Sequence, residues 1–333
     1  MLTNKRLLCS INQNINRNIF NVNNKKLTLK SYESDASCPT NGTSASVGGL
    51  LCKWKNIFIN ADVSEPKESI EYILAHVLGS RNVSEVYRKN TKILLPEEVR
   101  RVAEFCEKRL ERTPIQYIIQ EWDFCGLTLK MKPPVFIPRP ETEMMIDIVL
   151  SDIDYRSINR VLEFCCGSGA ICVTLLKARA HLCIKALDKS REACDLAEYN
   201  AKLHSVSKRL KIIHLDIKKH EALKEINENY DIIVSNPPYL SKKDLDKLQP
   251  EIQLYEDPDA FDGGEDGLIL IKSILRACSR LLNFEGKLFM EVDSNHPMLI
   301  KLWLSNNKEL NLNLIRTHKD FNNKERYVEI IKE

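Results

Sequence analysis

Arg160-Val161-Leu162-Glu163-Phe164-Cys165-Cys166-Gly167-Ser168-Gly169-Ala170 is the stretch on which the fold turns. The first five residues read as a strand. The small residues after them let the backbone turn sharply and approach a ligand before a helix opens. Outward from this unit, strands and helices alternate. The pattern predicts strands over 159–164, 182–187, 210–215, 230–235 and 285–291, with two last strands near 311–317 and 326–332. Helices are predicted over 169–180, 190–204, 266–282 and 296–305. Such alternation specifies an α/β fold with a doubly wound, mainly parallel sheet.

Ligands of open α/β sheets lie at the carboxyl ends of the strands, and that is where the polar signals fall. A dinucleotide fold would place Gly-x-Gly-x-x-Gly after the first strand. The third glycine is absent, and the spacing is instead acid-x-x-x-Gly-x-Gly, the form seen in S-adenosylmethionine enzymes. Asp188, about 20 residues beyond the loop at a strand end, can accept from both hydroxyls of a ribose. Asp216 and Ile217 follow the third strand, suited to hold an adenine edge and cover its face. The apolar run Tyr230 to Ser235 ends in Asn236-Pro237-Pro238-Tyr239, an amide, two rigid prolines and an aromatic ring. Those four residues make a compact clamp for a flat NH2-bearing group.

The amino-terminal third reads differently. Residues 1–32 hold six basic side chains and no Asp or Glu, so the remaining chain carries 43 basic against 46 acidic residues. A basic, acid-free leader resembles an organelle transit peptide and predicts the mitochondrial matrix. Residues 1–60 are low in pattern and read as leader plus linker. Ser64 and Pro66 open a helix with Ile70, Ile73, Leu74, Val77 and Leu78 on one face, and Gly79 is placed to end it. A second helix starts near Pro96 and buries Val99, Val102, Ala103, Cys106 and Leu110. These predict a helical domain over 62–120, a β-hairpin linker over 121–138 built from 124–129 and 134–137, and the α/β domain over 139–333. No stretch approaches the ~20 apolar residues needed to span a bilayer, so no membrane partner is expected. The eleven cysteines have no CxxC spacing and no metal site is expected from them.

At this point the chain resembles the HemK/PrmC family, methyltransferases that modify glutamine side chains of peptide release factors. The resemblance runs from about residue 65 to the end. It rests on Asn236-Pro237-Pro238-Tyr239, Pro114-Ile115-Gln116-Tyr117, Glu121-Trp122-Asp123-Phe124 and, above all, Phe136-Ile137-Pro138-Arg139-Pro140-Glu141-Thr142-Glu143. It continues through Glu256-Asp257-Pro258, Gly263-Gly264-Glu265-Asp266-Gly267-Leu268 and Gly286-Lys287-Leu288-Phe289-Met290-Glu291. It implies a Rossmann-like methyltransferase domain preceded by a helical substrate-recognition domain, with S-adenosyl-L-methionine as cofactor. Carried over by position, the cofactor residues are Cys165, Cys166, Gly167, Ser168, Gly169, Asp188, Asp216, Ile217 and Asn236, and the catalytic clamp is Asn236, Pro237, Pro238 and Tyr239. Cys165 stands where the pattern has a glycine and must adopt a φ tolerable to a side chain. Ile217 stands where a large aromatic is usual. Gln120 stands where a glycine is usual.

The expected reaction is N5-methylation of the glutamine in the Gly-Gly-Gln loop of a release factor, by a monomer with no nucleic-acid partner. In this scheme Asn236 and the Pro237 carbonyl accept the two amide N–H groups, and Tyr239 stacks on the amide. Arg139, Glu141 and Glu143 either line the cofactor mouth or pair charges at a helix start, and Glu256 and Asp257 sit beside the pocket. The alternative is an amino-methyltransferase for adenine in DNA or RNA, which presents a similar NH2 after base flipping. The negative body of the chain argues against it, since phosphate contacts dominate nucleic-acid affinity. A non-catalytic cofactor sensor would have no need of Asn236.

Overall fold

The computed structural model describes residues 44–156, 158–219, 226 and 228–333, which belong to one compact unit. The basic leader at 1–32 lies outside the described residues. After it, β1 (Ala45–Ser46) leads into α1 (Val47–Asn60), α2 (Pro66–Val77), α3 (Ser84–Arg88), β2 (Ile93–Leu94), α4 (Pro96–Leu110) and α5 (Ile115–Ile119). Here the expectation of a linker up to residue 60 is corrected. Ser46 accepts a hydrogen bond from Gly49 at 3.1 Å and caps α1, and Val47, Leu50, Trp54 and Phe58 recur at helical spacing on its buried face. The Gly48-Gly49 pair had hidden that periodicity. In α2 and α4 the expected faces are buried at Ile70, Ile73, Leu74, Val77, Val99, Val102 and Cys106, with Leu78, Ala103 and Leu110 partly covered. Gly79, at φ +69°, follows the last turn of α2 as the expected stop.

The connector is a hairpin of β3 (Glu121–Phe124) and β4 (Leu127–Lys130), with Phe124 paired to Leu127. Cys125 and Gly126 both have positive φ, the geometry of a two-residue turn matched to strand twist. The second arm is therefore 127–130 rather than 134–137. Pro133 and Pro134 lack the N–H groups that a strand at 134–137 would need.

Then come α6 (Pro140–Arg156), β5 (Arg160–Phe164), α7 (Ala170–Ala178), β6 (Cys183–Asp188), α8 (Arg191–Leu203), β7 (Leu210–His214) and β8 (Tyr230–Ser235). The chain ends through α9 (Lys242–Leu245), α10 (Pro250–Tyr255), α11 (Ile269–Leu281), β9 (Leu282–Glu291), α12 (His296–Ser305), β10 (Leu312–Lys319) and β11 (Glu325–Lys332). Seven strands form one sheet in the order β7-β6-β5-β8-β9-β11-β10. The pairs among β5 to β9 are parallel, and β11 runs antiparallel to both neighbours. Strand side chains alternate between two cores. Val161, Ile232, Val234 and Phe289 pack with α6, α7 and α8, whereas Leu162, Ile233, Leu288 and Met290 pack with α11 and α12. The doubly wound expectation is met. No helix among the described residues is long and apolar enough to cross a membrane.

A buried ion pair joins the helical segment to α10. Every N–H of the Arg109 guanidinium has an acceptor: Ser69 Oγ, Ser64 O and Oγ, Thr113 O, and Glu251 Oε1 at 3.0 Å. Full pairing is what allows such a charge inside a protein.

The turn from β5 into α7 places Cys165, Gly167 and Gly169 at φ +60°, +53° and +80°. At Gly169 a Cβ would meet Ala197 of α8 at 3.1 Å, so this glycine permits close helix packing. Cys165 takes the left-handed conformation despite its side chain.

Two outcomes are expected. Phe58→Ala should cost about 3–5 kcal/mol in chemical denaturation if α1 belongs to the core, and a linker residue would show no such loss. Cys165→Val should be less stable than Cys165→Gly by about 1 kcal/mol, because a β-branched residue resists positive φ. For a body of this size the difference is roughly 3 °C in Tm.

Candidate active site

The order β6-β5-β8 reverses the winding at β5, and a crevice opens between the carboxyl ends of β5 and β8. A cavity of about 280 Å³ occupies this position. Phe164, Cys165 and Gly167 line it from the first turn, Leu187 and Asp188 from β6, and Leu215, Asp216 and Ile217 from the end of β7. Asn236, Pro237, Pro238 and Tyr239 line it from the end of β8. Cys166, Ser168 and Gly169, expected at the cofactor, instead lie behind the loop. Cys166 donates its N–H to Leu187 at 3.1 Å, the Ser168 carbonyl accepts from Asn200 at 2.9 Å, and Gly169 begins the helix. The reason is geometric: the loop curls into a helix, so only its outer residues face the ligand side.

Asp188 is held by its surroundings. Its Oδ2 accepts the Gly167 N–H and its Oδ1 the Ser190 N–H, both at 2.9 Å. Burial pushes this carboxyl up, against the pull of those two donors. No heavy atom lies within 4 Å of where a Cβ of Gly167 would stand, so the backbone can approach a bound group there. An acid beside an open glycine, with a second acid and Ile217 near it, suits a nucleoside bearing a diol and a flat base. The residues present fit a cofactor of that kind. No cluster of metal-ligating side chains occurs among the described residues.

Glu163, the acid of the acid-x-x-x-Gly-x-Gly spacing, does not reach the cavity. It is fully buried with both carboxylate oxygens unpartnered, and burial pushes it up to about 8.

The segment after the clamp closes the far wall with Leu248, Ile252, Asp257, Asp259 and Phe261. It is fastened from outside the sheet. Glu256 accepts the Ile137 N–H at 2.9 Å and pairs with Arg139 at 2.5 Å, while the Arg139 guanidinium lies 4.9 Å from the Phe136 ring and 6.0 Å from that of Phe261. Lys189 and Asp259, both cavity residues, pair at 2.6 Å. Arg139 thus lines the cavity and anchors its wall. Glu141 and Glu143 do not line it. They occupy the first turn of α6, where acids suit the helix dipole. Phe136, which opens the string 136–143, lines the cavity too, whereas sequence reasoning missed Ile252 and Phe261. The available signal was apolar residues recurring within the charged segment from 241 to 262.

Asn236 is tied to residues outside the clamp. Its Nδ2 donates to Thr142 Oγ1 at 3.0 Å, and Thr142 donates to Glu291 Oε2 at 2.7 Å. The Tyr239 hydroxyl donates to Glu291 Oε1 at 3.2 Å. Thr142 and Glu291 stand within the strings 136–143 and 286–291 that carry the family resemblance, which implies no role for either. A glutamate closing an apolar strand was the signal for the second.

Comparison with known proteins agrees with this geometry. Residues 127–252 match the family described as Methyltransferase small domain, and residues 50–119 match the PrmC N-terminal domain. The chain is 40% identical over 301 residues to the human MTRF1L release factor glutamine methyltransferase, covering 88% of this chain and 89% of that protein. It is 33% identical to the release factor glutamine methyltransferase of Streptococcus pneumoniae, covering 68% of this chain and 79% of the relative. Against the Thermodesulfovibrio yellowstonii release factor glutamine methyltransferase it is 34% identical, covering 69% and 80%. Relatives this similar, aligned across the crevice and the helical segment alike, settle the kinship: the chain belongs to the release factor glutamine methyltransferase family.

Proposed function

We propose that this protein uses S-adenosyl-L-methionine to methylate the side-chain nitrogen of the glutamine in the Gly-Gly-Gln loop of a peptide chain release factor. The observation that carries the reading is that Asn236 to Tyr239 and the acids Asp188 and Asp216 share one cavity. A nucleoside cradle and a clamp for a planar amide then lie side by side. The basic, acid-free leader supports action in the mitochondrial matrix. In this reading residues 62–120, together with α1, grip the body of the release factor, residues 121–138 connect, and 139–333 carry the chemistry.

The chemical difficulty is that an amide nitrogen is a poor nucleophile, its lone pair being delocalised into the carbonyl. When bound, the cofactor supplies an electrophilic methyl group. Asn236 Oδ1 and the Pro237 carbonyl accept the two N–H bonds of the target amide and fix its orientation. Such acceptors, placed before reaction begins, stabilise the positive charge that grows on the nitrogen. Pro237 and Pro238 hold φ near −65°, so the acceptors need no rearrangement. Tyr239, its hydroxyl anchored on Glu291, offers its ring as a fixed wall that excludes water. Asp188 holds the ribose hydroxyls, and Asp216 with Ile217 holds the base. Alignment supplies most of the acceleration. No general base is needed, because the nitrogen proton becomes acidic once the methyl has been received.

Labelled cofactor, incubated separately with release factor and with nucleic acid, tests the reading. Label is expected in the factor alone, with one added methyl on the peptide that carries the loop glutamine. Label in nucleic acid alone, or in neither, rejects it. Asn236→Ala should lower kcat by about 10²–10³ with cofactor binding retained, the size seen when one preorganised hydrogen-bonding group is lost. Asp188→Ala should act on binding instead. Losing hydrogen bonds to a charged group costs about 2 kcal/mol, or roughly thirtyfold in cofactor Kd by calorimetry.

A further inference from the structure

Glu291 ends the apolar run Leu288-Phe289-Met290 at the close of β9 and is 2% exposed. Strand alternation puts it on the face of Phe289, under α6, rather than the face of Met290. Its oxygens have different tasks: Oε2 takes the Thr142 hydroxyl at 2.7 Å and Oε1 the Tyr239 hydroxyl at 3.2 Å. A threonine hydroxyl has one hydrogen. Once that hydrogen goes to Glu291, the Thr142 oxygen can only accept, so the Asn236 amide must turn its NH2 toward Thr142, as the 3.0 Å contact has it. The amide oxygen is then left for another donor.

We propose that Glu291 is a positioning residue that, through Thr142, sets the Asn236 amide with its oxygen available to the substrate, and that its charge fixes this direction because an ionised carboxylate can only accept. This rests on the reading of Asn236 as the acceptor of the target amide. A neutral Glu291 brings one hydrogen too many. Placed on Oε2, that hydrogen goes to Thr142, whose own hydrogen turns to Asn236. The amide rotates to accept it, and its NH2 then meets the NH2 of the substrate, donor against donor. Placed on Oε1, it goes to the Tyr239 hydroxyl, which accepts it, and the Thr142 and Asn236 directions are kept. The neutral form thus divides between a working and a reversed clamp, whereas the ionised form has the working one alone.

The groups around Glu291 bear on its ionisation from each packed element. Arg326, on β11, favours the charged form and itself contacts Asp320 at 3.4 Å. Glu141, on α6, opposes it. Tyr327, opposite Glu291 in the β9–β11 register, gives its hydroxyl to the Glu141 carbonyl at 2.5 Å. Asp293, two residues on, adds negative charge near Tyr239. Burial dominates and pushes the Glu291 carboxyl up to about 7. The change of charge therefore falls where the enzyme is assayed.

The test measures kcat, KM and cofactor Kd between pH 6 and 9 on purified release factor for wild type, Thr142→Val, Thr142→Ser and Glu291→Gln. Wild-type kcat should fall from a higher plateau to a lower one as pH drops through about 7. Thr142→Val keeps shape without the hydroxyl, so it should lose at least roughly tenfold in kcat at pH 8 with cofactor Kd held, and Thr142→Ser should restore it. Glu291→Gln divides likewise between offering its oxygen and its nitrogen to Thr142, so it should hold the lower, acid-side kcat at every pH and lose the acid limb. Thermal unfolding gives an independent readout. Because the folded carboxyl titrates above its ordinary value, its stabilising effect is complete below about 4.5 and lost as pH rises through about 7. Glu291→Gln should therefore gain Tm over wild type only on the alkaline side. Wild-type kcat in Thr142→Val, or an acid limb that survives in Glu291→Gln, overturns the inference while leaving the functional reading intact. A wild type that leaves the factor unmethylated defeats both.

Discussion

The parallel pairing of β5 with both β6 and β8 is the constraint from which the rest of the molecule follows. At β5 the strand order turns back, so connections on its two sides go to opposite faces of the sheet and the covering helices part. Asp188, Asp216 and the clamp at 236–239 are then supplied at strand ends, which are the most rigid backbone available. Loops anchored on such a frame can hold reacting groups to the tolerance that proximity chemistry requires. The carbonyl of Phe164 also takes the Ser235 hydroxyl at 2.9 Å, which joins β5 to β8 at the mouth of the crevice.

Three carboxylates near this opening are held against their own solvation. Glu163 has no partner, Asp188 has only backbone donors, and Glu291 has two hydroxyls. Burial raises all three. Stability alone would replace them with apolar residues, since unpaired buried acids cost free energy. Among the described residues, the acids whose carboxyls burial pushes up lie together at this end of the sheet, the pattern of a region shaped by what it must bind. Glu291 shows the conflict most clearly. Its neutral form suits the fold, whereas its ionised form is the one that orients the Asn236 amide.

The wall opposite the sheet depends on two fastenings that sit far apart in the chain. Glu256 ties it to Ile137 and Arg139, and Glu251 ties it to Arg109 of the helical segment, 142 residues away. Ile252, between those acids, lines the cavity. The helical segment is thus mechanically connected to the pocket by a fully satisfied guanidinium.

What the residue order settles by itself is whatever depends on local periodicity. Alternating apolar strands and amphipathic helices fixed the doubly wound sheet, and the turn residues at 165–169 and the clamp at 236–239 marked where a ligand sits. Local reading failed where a local rule competed with packing. The Gly48-Gly49 pair obscured α1, whose helix is held by Trp54 and Phe58 against distant partners. Proline-rich 133–134 resembled the arm of a hairpin whose turn was in fact Cys125-Gly126. Only the folded chain decided which loop residues face the cavity, because curvature turns Cys166, Ser168 and Gly169 away from it. Only the folded chain, too, brought Thr142, Asn236, Tyr239 and Glu291 into one hydrogen-bonded chain. Their separation in sequence spans 149 residues, and no periodicity extends that far; hydrogen bonds of definite direction among buried groups exist only after the sheet and α6 have packed.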